Sequence, residues 1–348
     1  LEQCADPDLL TAVVEAPADP QVRGEVENLE AELARASALA VAGKYEEALE
    51  LSEGILERAV KTGHEPILAE AHLRRGKILF SQGKYNTARE SLRKAALAGQ
   101  ACRHDRVAAE AWIWLVNVVG VRLLQREQGQ RLAELARSAL ARIGGDRALE
   151  SRMALSLGQM SFEEERLDEA KYHLERALHI REQDLGPDHP DVAIALNRLS
   201  DLYSYRRQYD EAEKLSQRAL AIQKKVYGEV HPVVAHTLSE LTVPLIMQKH
   251  YDQALALLQQ SLGIIERTLD PNHPGFGDLH NRFAWVYSKK GDLAGAVASY
   301  ERALANRRIA FGAYHPRVAD ILSNLGVLHY QQGKLDRALE FFEEAALV

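Results

Sequence analysis

Histidine is the residue in this sequence with the most obvious capacity for chemistry, and it recurs in His-Pro pairs at a fixed step of 42 residues. Neutral imidazole is a common metal ligand. Equivalent helices of successive repeats lie about 10 Å apart, however, and metal–ligand bonds are only about 2 Å long. We therefore expect no metal and no cofactor, and we interpret each proline as the first residue of a helix, where its missing N–H costs nothing. The pairs are His189-Pro190, His231-Pro232, His273-Pro274 and His315-Pro316.

Thiol and carboxylate groups offer the other candidate chemistry. Cys102 is a candidate reactive thiol only because it lies in a loop beside Arg103 and His104; the alternative is a surface or half-buried residue without a reactive role. The glutamates at 163–165 and 343–344 fall at the turn or end of a helix, which is typical of a solvated surface. No Ser/His/Asp or Cys/His arrangement has a local signature. We therefore predict no catalytic residues and no enzymatic activity.

Composition limits the class of protein and its partners. The formal net charge is −7 and the isoelectric point is near 6.0, which argues against nucleic acid as the main partner. Two distant cysteines, Cys4 and Cys102, do not form a disulfide framework, so we expect a cytoplasmic protein. No apolar run approaches the roughly 20 residues that span a membrane, so no membrane partner is expected.

Several other positions keep the step of 42 residues, which predicts a repeat array. Within each unit, apolar residues recur at helical spacing after the proline, and a second helix follows a short turn. A glycine such as Gly228 then permits the left-handed residue that ends the second helix. Small residues are expected where antiparallel helices approach closely. One such ladder consists of Ala170, Ala212, Ala254, Ala296 and Ala338.

This pattern resembles the tetratricopeptide repeat. Leu157-Gly158 precedes two alanines, Ala170 and Ala177, that are seven residues apart, as in that family. The 42-residue length, the Gly-x-x-His-Pro joint and the string from Leu196 to Leu199 are similar to the kinesin-light-chain variety. The resemblance covers residues 147–348. It implies an all-α fold, a right-handed superhelical solenoid of antiparallel helix pairs.

The N-terminal part of the chain repeats less regularly. Gly43-Lys44-Tyr45 returns as Gly83-Lys84-Tyr85 after forty residues. We predict an irregular lead-in over residues 1–21, about three degenerate helical repeats over 22–143, and five tetratricopeptide repeats over 147–348, four of them His-Pro units. Gly144-Gly145 is the best candidate for the joint between the two halves.

The N-terminal stretch also resembles the region that follows the catalytic domain in some bacterial serine/threonine kinases. No kinase motif is present, so the resemblance implies a regulatory segment without its kinase. The chain starts at Leu1 without methionine, and we expect it to be part of a longer protein. The residues that carry the resemblance are Cys4, Pro17, Gly43-Lys44-Tyr45, Gly63, Ala95 and Ala109-Glu110-Ala111-Trp112.

The tetratricopeptide resemblance implies a peptide-binding concave groove lined by the first helix of each repeat. Asparagine can donate to and accept from a peptide backbone, arginine can fork onto a carboxylate or phosphate, and aromatic rings can cover a ligand. The alternative is that these are solvated groups or contacts between repeats. Glu240, at an equivalent position, would repel a uniformly acidic peptide. The candidate residues are Asn197, Arg198, Asn281, Arg282, Asn324, Tyr205, Trp285 and Tyr330.

We predict a scaffold that binds a peptide or protein segment in this groove, as a regulatory part of a larger signalling protein. Two alternatives stay open: a self-assembly module, and a ligand-sensing regulatory region of a bacterial serine/threonine kinase. Self-association through the C-terminal end is predicted from a separate feature of the sequence. Leu339, Phe342, Ala346 and Leu347 form an apolar stripe on the last helix. No later helix of this sequence covers it, so we expect a neighbouring molecule or further repeats to do so.

Overall fold

The computed structural model describes residues 16–348, and every regular element in that range is a helix. Cys4 and Pro7 lie outside the described residues. The first unit contains α1 (Pro20–Val41), α2 (Tyr45–Thr62), α3 (Glu65–Ser81), α4 (Tyr85–Ala101), α5 (Asp105–Leu115) with a π-helical turn (Val116–Arg122), α6 (Arg126–Arg142), α7 (Arg147–Glu163) and α8 (Leu167–Leu185). The second contains α9 (Pro190–Tyr205), α10 (Tyr209–Tyr227), α11 (Pro232–Met247), α12 (Tyr251–Thr268), α13 (Pro274–Lys290), α14 (Leu293–Phe311), α15 (Pro316–Gln331) and α16 (Leu335–Ala346).

The helices pack as antiparallel pairs that follow chain order, α1 with α2 through to α15 with α16. The predicted all-α fold of helix pairs is confirmed. The four predicted helix starts at Pro190, Pro232, Pro274 and Pro316 are also confirmed, since α9, α11, α13 and α15 begin at these residues. The alanine ladder lies where the helices of a pair meet: four of its five members are 0% exposed and Ala338 is 3% exposed.

In three of the four His-Pro joints, the histidine side chain caps the helix that follows. His231, His273 and His315 accept a hydrogen bond at Nδ1 from a backbone N–H two residues later, at 3.2, 3.0 and 3.1 Å. This bond satisfies one of the orphan donors of the first helical turn. His231 also stacks on Tyr227, and His315 on Phe311, with ring centroids 4.5 and 4.6 Å apart. The repeated histidines therefore fix helix starts.

The chain divides into two compact units, and the division falls between His189 and Pro190. Gly144 and Gly145 lie inside the first unit, between α6 and α7. Both have a positive φ, 71° and 90°, which glycine adopts without a steric penalty. The predicted grouping into degenerate and regular repeats remains a prediction.

The third helix pair departs from regular α-helix. After Leu115 the backbone widens into the π-helical turn Val116–Arg122. At this point the first and second helices of the pair approach closely: a Cβ on Gly129 would lie 2.6 Å from the Cα of Gly120. Only two glycines allow that approach. Neither feature was predicted from the sequence.

Candidate functional site

The first helices of the second unit present one partly exposed face. Its positions follow the helical spacing i, i+4, i+7 and i+11 on α9 and repeat at 42-residue steps on α11, α13 and α15. Every residue of the set keeps some exposure, while their neighbours on the same helices are largely buried. We call this set the first-helix face. It consists of Ile194, Arg198, Asp201, Tyr205, His236, Glu240, Val243, Met247, Asp278, Arg282, Trp285, Lys289, Asp320, Asn324, Val327 and Gln331.

Asn197 is not part of this face, although the sequence placed it in the groove. Its side chain is 4% exposed, and its Nδ2 donates to Thr237 Oγ1 on α11 at 2.5 Å. Asn197 therefore forms a contact between neighbouring repeats, which was the alternative to peptide binding in the sequence analysis. Asn281, 84 residues later, is partly exposed beside Arg282.

A chain of ion pairs crosses the face. Arg198 Nη1 lies 3.0 Å from Asp201 Oδ2 on α9, and Arg282 Nη2 on α13 lies 2.7 Å from Glu240 Oε2 on α11. His236 Nε2 approaches the same glutamate at 3.6 Å. Glu240 was expected to repel acidic ligands, but its partner arginine neutralises it. The same pairing occupies the guanidinium of Arg282, which was expected to be available to a ligand.

Within this row of ion pairs, the carboxyl groups of Asp201 and Glu240 also bond to each other, and they titrate as a pair. Burial and the neighbouring Glu240 raise the pKa of Asp201 well above its usual range, although Arg198 opposes the shift. Burial would raise the pKa of Glu240 as well, but Arg282 and His236 outweigh it and lower that pKa. Two like charges this close oppose each other, so the pair holds a proton more tightly than two separate carboxyl groups would.

The other predicted residues lie further apart. Tyr205 ends α9 with 52% of its surface exposed, and Tyr330, near the end of α15, is 64% exposed. Trp285 on α13 is half-buried against the core, and Asn324 on α15 is partly exposed. The structure thus joins Arg198 and Arg282 through Asp201 and Glu240 and spreads the aromatic residues along the helices. Asp201 was missed, although it lies one turn from Arg198 and could have been found by that spacing.

The other candidate chemistry has a weaker basis in the structure. Cys102 is half-buried, with its Sγ 3.7 Å from the carbonyl oxygen of Gly99, and burial raises the pKa of its thiol. A raised pKa reduces the thiolate that would react. Within residues 16–348, no three His, Cys, Asp or Glu side chains cluster in a way that could hold a metal ion. No helix in the same range is both long and apolar enough to cross a membrane.

Comparison with known proteins gives the family. Models described as "Tetratricopeptide repeat" match residues 149–225, 203–266, 245–309 and 279–346, and a second model with that description matches 33–106. The first model alone thus matches more than half of the chain. No curated protein matches the sequence.

Solved structures share the fold at low sequence identity. A Rap protein complexed with Competence and Sporulation Factor aligns with a TM-score of 0.60 and 12% identity, over 92% of this chain and 97% of that one. The apo form of RapI aligns with a TM-score of 0.55 and 15% identity, over 80% and 96%. A putative kinesin light chain from Podosopora anserina is 23% identical over 58% of this chain and 95% of that one, with a TM-score of 0.45.

Proposed function

This chain belongs to the tetratricopeptide repeat family, and from that premise we propose that it is a protein-interaction scaffold that binds a segment of a partner protein on the first-helix face of its second unit. A regulatory role in a larger signalling protein, which the N-terminal resemblance implies, stays a prediction.

The observation that carries the proposal is the exposure pattern of the first helices. Sixteen equivalent positions on α9, α11, α13 and α15 stay at least partly exposed. Among them, Met247 and Val327 are 39% and 45% exposed. Apolar side chains at the water interface are stabilised when a partner covers them. A face that repeats in register over four helices suits a partner segment that runs across them.

The chemistry of the face indicates what such a segment offers. The row Val243, Trp285 and Val327 accepts apolar side chains, and the half-buried indole of Trp285 is the kind of rigid aromatic anchor that dominates interfaces. Beside it, Arg282 and Glu240 neutralise each other. We therefore propose that apolar contacts supply the affinity and that Asn281 and Asn324 bind polar groups of the partner, with Tyr205 and Tyr330 at the ends of the face.

Site-specific photocrosslinking tests this proposal. A photoreactive amino acid at position 281 lies on the first helix α13, beside the face. The matched control carries the same group at Gln217, an exposed residue of the second helix α10. In cell extract, we expect a protein adduct from position 281 that is absent from position 217. Trp285→Ala should then reduce the adduct by about tenfold or more, the effect of losing one aromatic anchor.

Two results would contradict the proposal. Equal adducts from both positions would mean nonspecific capture. An adduct that Trp285→Ala leaves unchanged would mean that the face does not carry the binding.

Self-assembly is a second candidate function, favoured by the apolar surface of α16. Leu339 and Leu347 are 58% and 76% exposed, and Phe342 is 39% exposed. Tyr300 and Leu258, at positions equivalent to Phe342, are 6% and 0% exposed. If a second copy covers this surface, light scattering will show a mass that rises with concentration in the wild type and not in Leu339→Ser. A constant monomer mass would remove this candidate.

A further inference from the structure

Three His-Pro joints of the second unit hold their histidine in one protonation state. A backbone N–H can only donate a hydrogen bond, so the ring nitrogen that it meets must carry a lone pair. In all three joints that nitrogen is Nδ1, and the N–H belongs to the residue two positions later. The pairs are His231 with Val233, His273 with Gly275, and His315 with Arg317. The caps therefore require neutral imidazole, with its single proton on Nε2.

Protonation of the ring breaks such a cap for two reasons. Imidazolium carries an N–H at both ring nitrogens, so Nδ1 would turn a donor towards the donor of the helix. The added charge would also lie at the positive end of the helix dipole. Histidine is the side chain whose charge ordinarily changes between about pH 5 and 8. The stability that each cap contributes is therefore present above this range and is lost as pH falls through it.

The charges around His315 strengthen this effect. The ring is 8% exposed and stacks on Phe311 of α14. The guanidinium of Arg317, on α15 itself, lies 5.8 Å from the centroid of the same phenyl ring, and Arg307 of α14 donates to the carbonyl oxygen of Arg317 at 2.8 Å. From α13, the carboxylate of Asp278 lies 3.1 Å from Arg307 and 4.0 Å from Arg317. Two cations share one carboxylate here, so the local charge opposes an imidazolium.

The charges around His231 are more evenly balanced. The ring is 5% exposed and stacks on Tyr227 of α10. Burial, and then Asp191 of α9, raise the pKa of the Tyr227 hydroxyl. Lys224 of α10 and Glu229 of the loop pair at 2.7 Å, and α11 has no acidic residue in its first turn. Burial opposes an imidazolium and Asp191 favours one, so we expect this joint to be less sensitive to acid than the joint of His315.

His273 is the most exposed ring of the three. Asp270 in the same loop accepts from the N–H of Asn272 at 2.7 Å through its side chain. Arg267 lies in the last turn of α12, and α14 contributes the neutral amide of Asn306, which donates to the loop at 3.4 Å. One acid and one base border this joint, so its sensitivity depends on the lost acceptor and the helix dipole.

Other helix starts in the described part of the chain lack this property. Asp19, Asp146 and Asp292 cap α1, α7 and α14 through a carboxylate oxygen, and a carboxyl group can accept in either protonation state. His64 and His104 precede α3 and α5, but neither side chain forms a cap bond. Caps that require a neutral imidazole are thus concentrated on first helices of the second unit.

We propose that the second unit contains an acid-sensitive device: as pH falls through the histidine range, the caps of α11, α13 and α15 open and the first turns of these helices loosen together. The same helices carry the first-helix face, so acid loosens the elements that hold this face in register. The device is a property of the joints and does not depend on what the face binds.

Hydrogen exchange of the full chain, followed by mass spectrometry, tests the device locally. Between about pH 7.5 and about pH 5, we expect protection factors in the first turns of α11, α13 and α15 to fall about fivefold or more, the factor for one lost N-cap. The first turn of α14, capped by Asp292, is the internal control and should keep its protection. A variant with His231→Asn, His273→Asn and His315→Asn keeps acceptors that do not titrate, so its protection should be equal at both pH values.

Three results would overturn the proposal: equal wild-type protection at the two pH values, an equal loss in the first turn of α14, or an equal loss in the asparagine variant. If that variant does not fold, long-range proton–nitrogen NMR of the wild-type imidazoles, assigned through the single variants, decides the question. A proton on Nδ1 of these rings at about pH 7.5 contradicts the device. A proton that reaches Nδ1 in step with the loss of protection supports it.

Discussion

The amide of Asn197 joins two neighbouring repeats through its bond to Thr237. In Asn197→Ala the bond is lost and a buried hydroxyl loses its donor, which costs roughly 1–3 kcal/mol. We expect the free energy of unfolding in urea to fall by that amount, without loss of crosslinking from position 281. Ser323→Ala, at an equivalent and partly exposed position, is the control and should change stability by less than about 0.5 kcal/mol. Equal effects of the two variants would show that the bond does not contribute.

The carboxyl group of Asp201 makes a contribution to stability that depends on pH. The pKa of Asp201 is raised in the folded protein, so the folded state binds this proton more tightly than the unfolded chain does. The stability that this group contributes is therefore lost as pH rises from 3.8, the ordinary pKa of an aspartate, towards the raised pKa of Asp201. Asp201→Asn removes the titration. As pH rises through that window, the free energy of unfolding of Asp201→Asn should increase relative to that of the wild type, by up to about 1.4 kcal/mol for each pH unit.

Urea unfolding at a series of pH values measures this difference. Asp252→Asn is the matched control, because that carboxylate is 91% exposed, and its curve should run parallel to the wild type. A parallel curve for Asp201→Asn as well would mean that the carboxyl pair holds no shared proton.

Helix starts are fixed by the histidine caps, and His273 allows a direct test. Its Nδ1 accepts from the N–H of Gly275 at 3.0 Å. His273→Ala removes the acceptor and should cost about 1 kcal/mol in the free energy of unfolding. In His273→Asn the side-chain oxygen can take over the cap, so most of that loss should be recovered. If asparagine destabilises as much as alanine, the imidazole contributes through its packing and not through the cap.

The close approach of α6 to the π-helical turn depends on glycine. Gly129→Ala places a Cβ 2.6 Å from the Cα of Gly120, and because backbone must move we expect a loss of about 1–3 kcal/mol. Gly24→Ala is the contrasting variant, since a Cβ there, in the second turn of α1, meets nothing within 4 Å; it should stabilise by roughly 0.5–1 kcal/mol. Thermal unfolding of both variants measures the contrast. Similar melting temperatures would mean that the turn relaxes around the methyl group.

The regular elements were predictable because local rules decide them. Proline fixes the first residue of α9, α11, α13 and α15, and it needs no tertiary contact to do so. The π-helical turn was not predictable, because it depends on the contact of Gly120 with Gly129 from another helix. Periodicity alone could not distinguish that pair from other glycines in helices.

At the scale of the whole molecule, each compact unit contains complete helix pairs. We predict that residues 190–348 expressed alone fold into a helical protein that melts cooperatively, because the four pairs α9 to α16 pack on neighbours in chain order. Circular dichroism at the helix band and its temperature dependence measure this. A coil spectrum for this fragment, with a helical spectrum for the full chain, would contradict the prediction.

The candidate site was predictable only in part, because long-range neighbours decide exposure. Asn197 and Asn281 have the same residue type at equivalent positions. Forty positions after Asn197 lies Thr237, whose hydroxyl accepts a hydrogen bond from it. Forty positions after Asn281 lies Ile321, whose side chain cannot accept one.

The His-Pro joint has a consequence for how chains of this type change length. Each joint supplies its own first helical residue, three of the four also supply a histidine cap, and the small residues beneath them recur at the same step of 42. A gene segment that encodes residues 274–315 can therefore be copied in tandem, and each added module carries the signals for its own boundaries. Growth by whole modules lengthens the surface offered to partners without redesigning a core, so recombination between joints is a route by which such proteins acquire new partners.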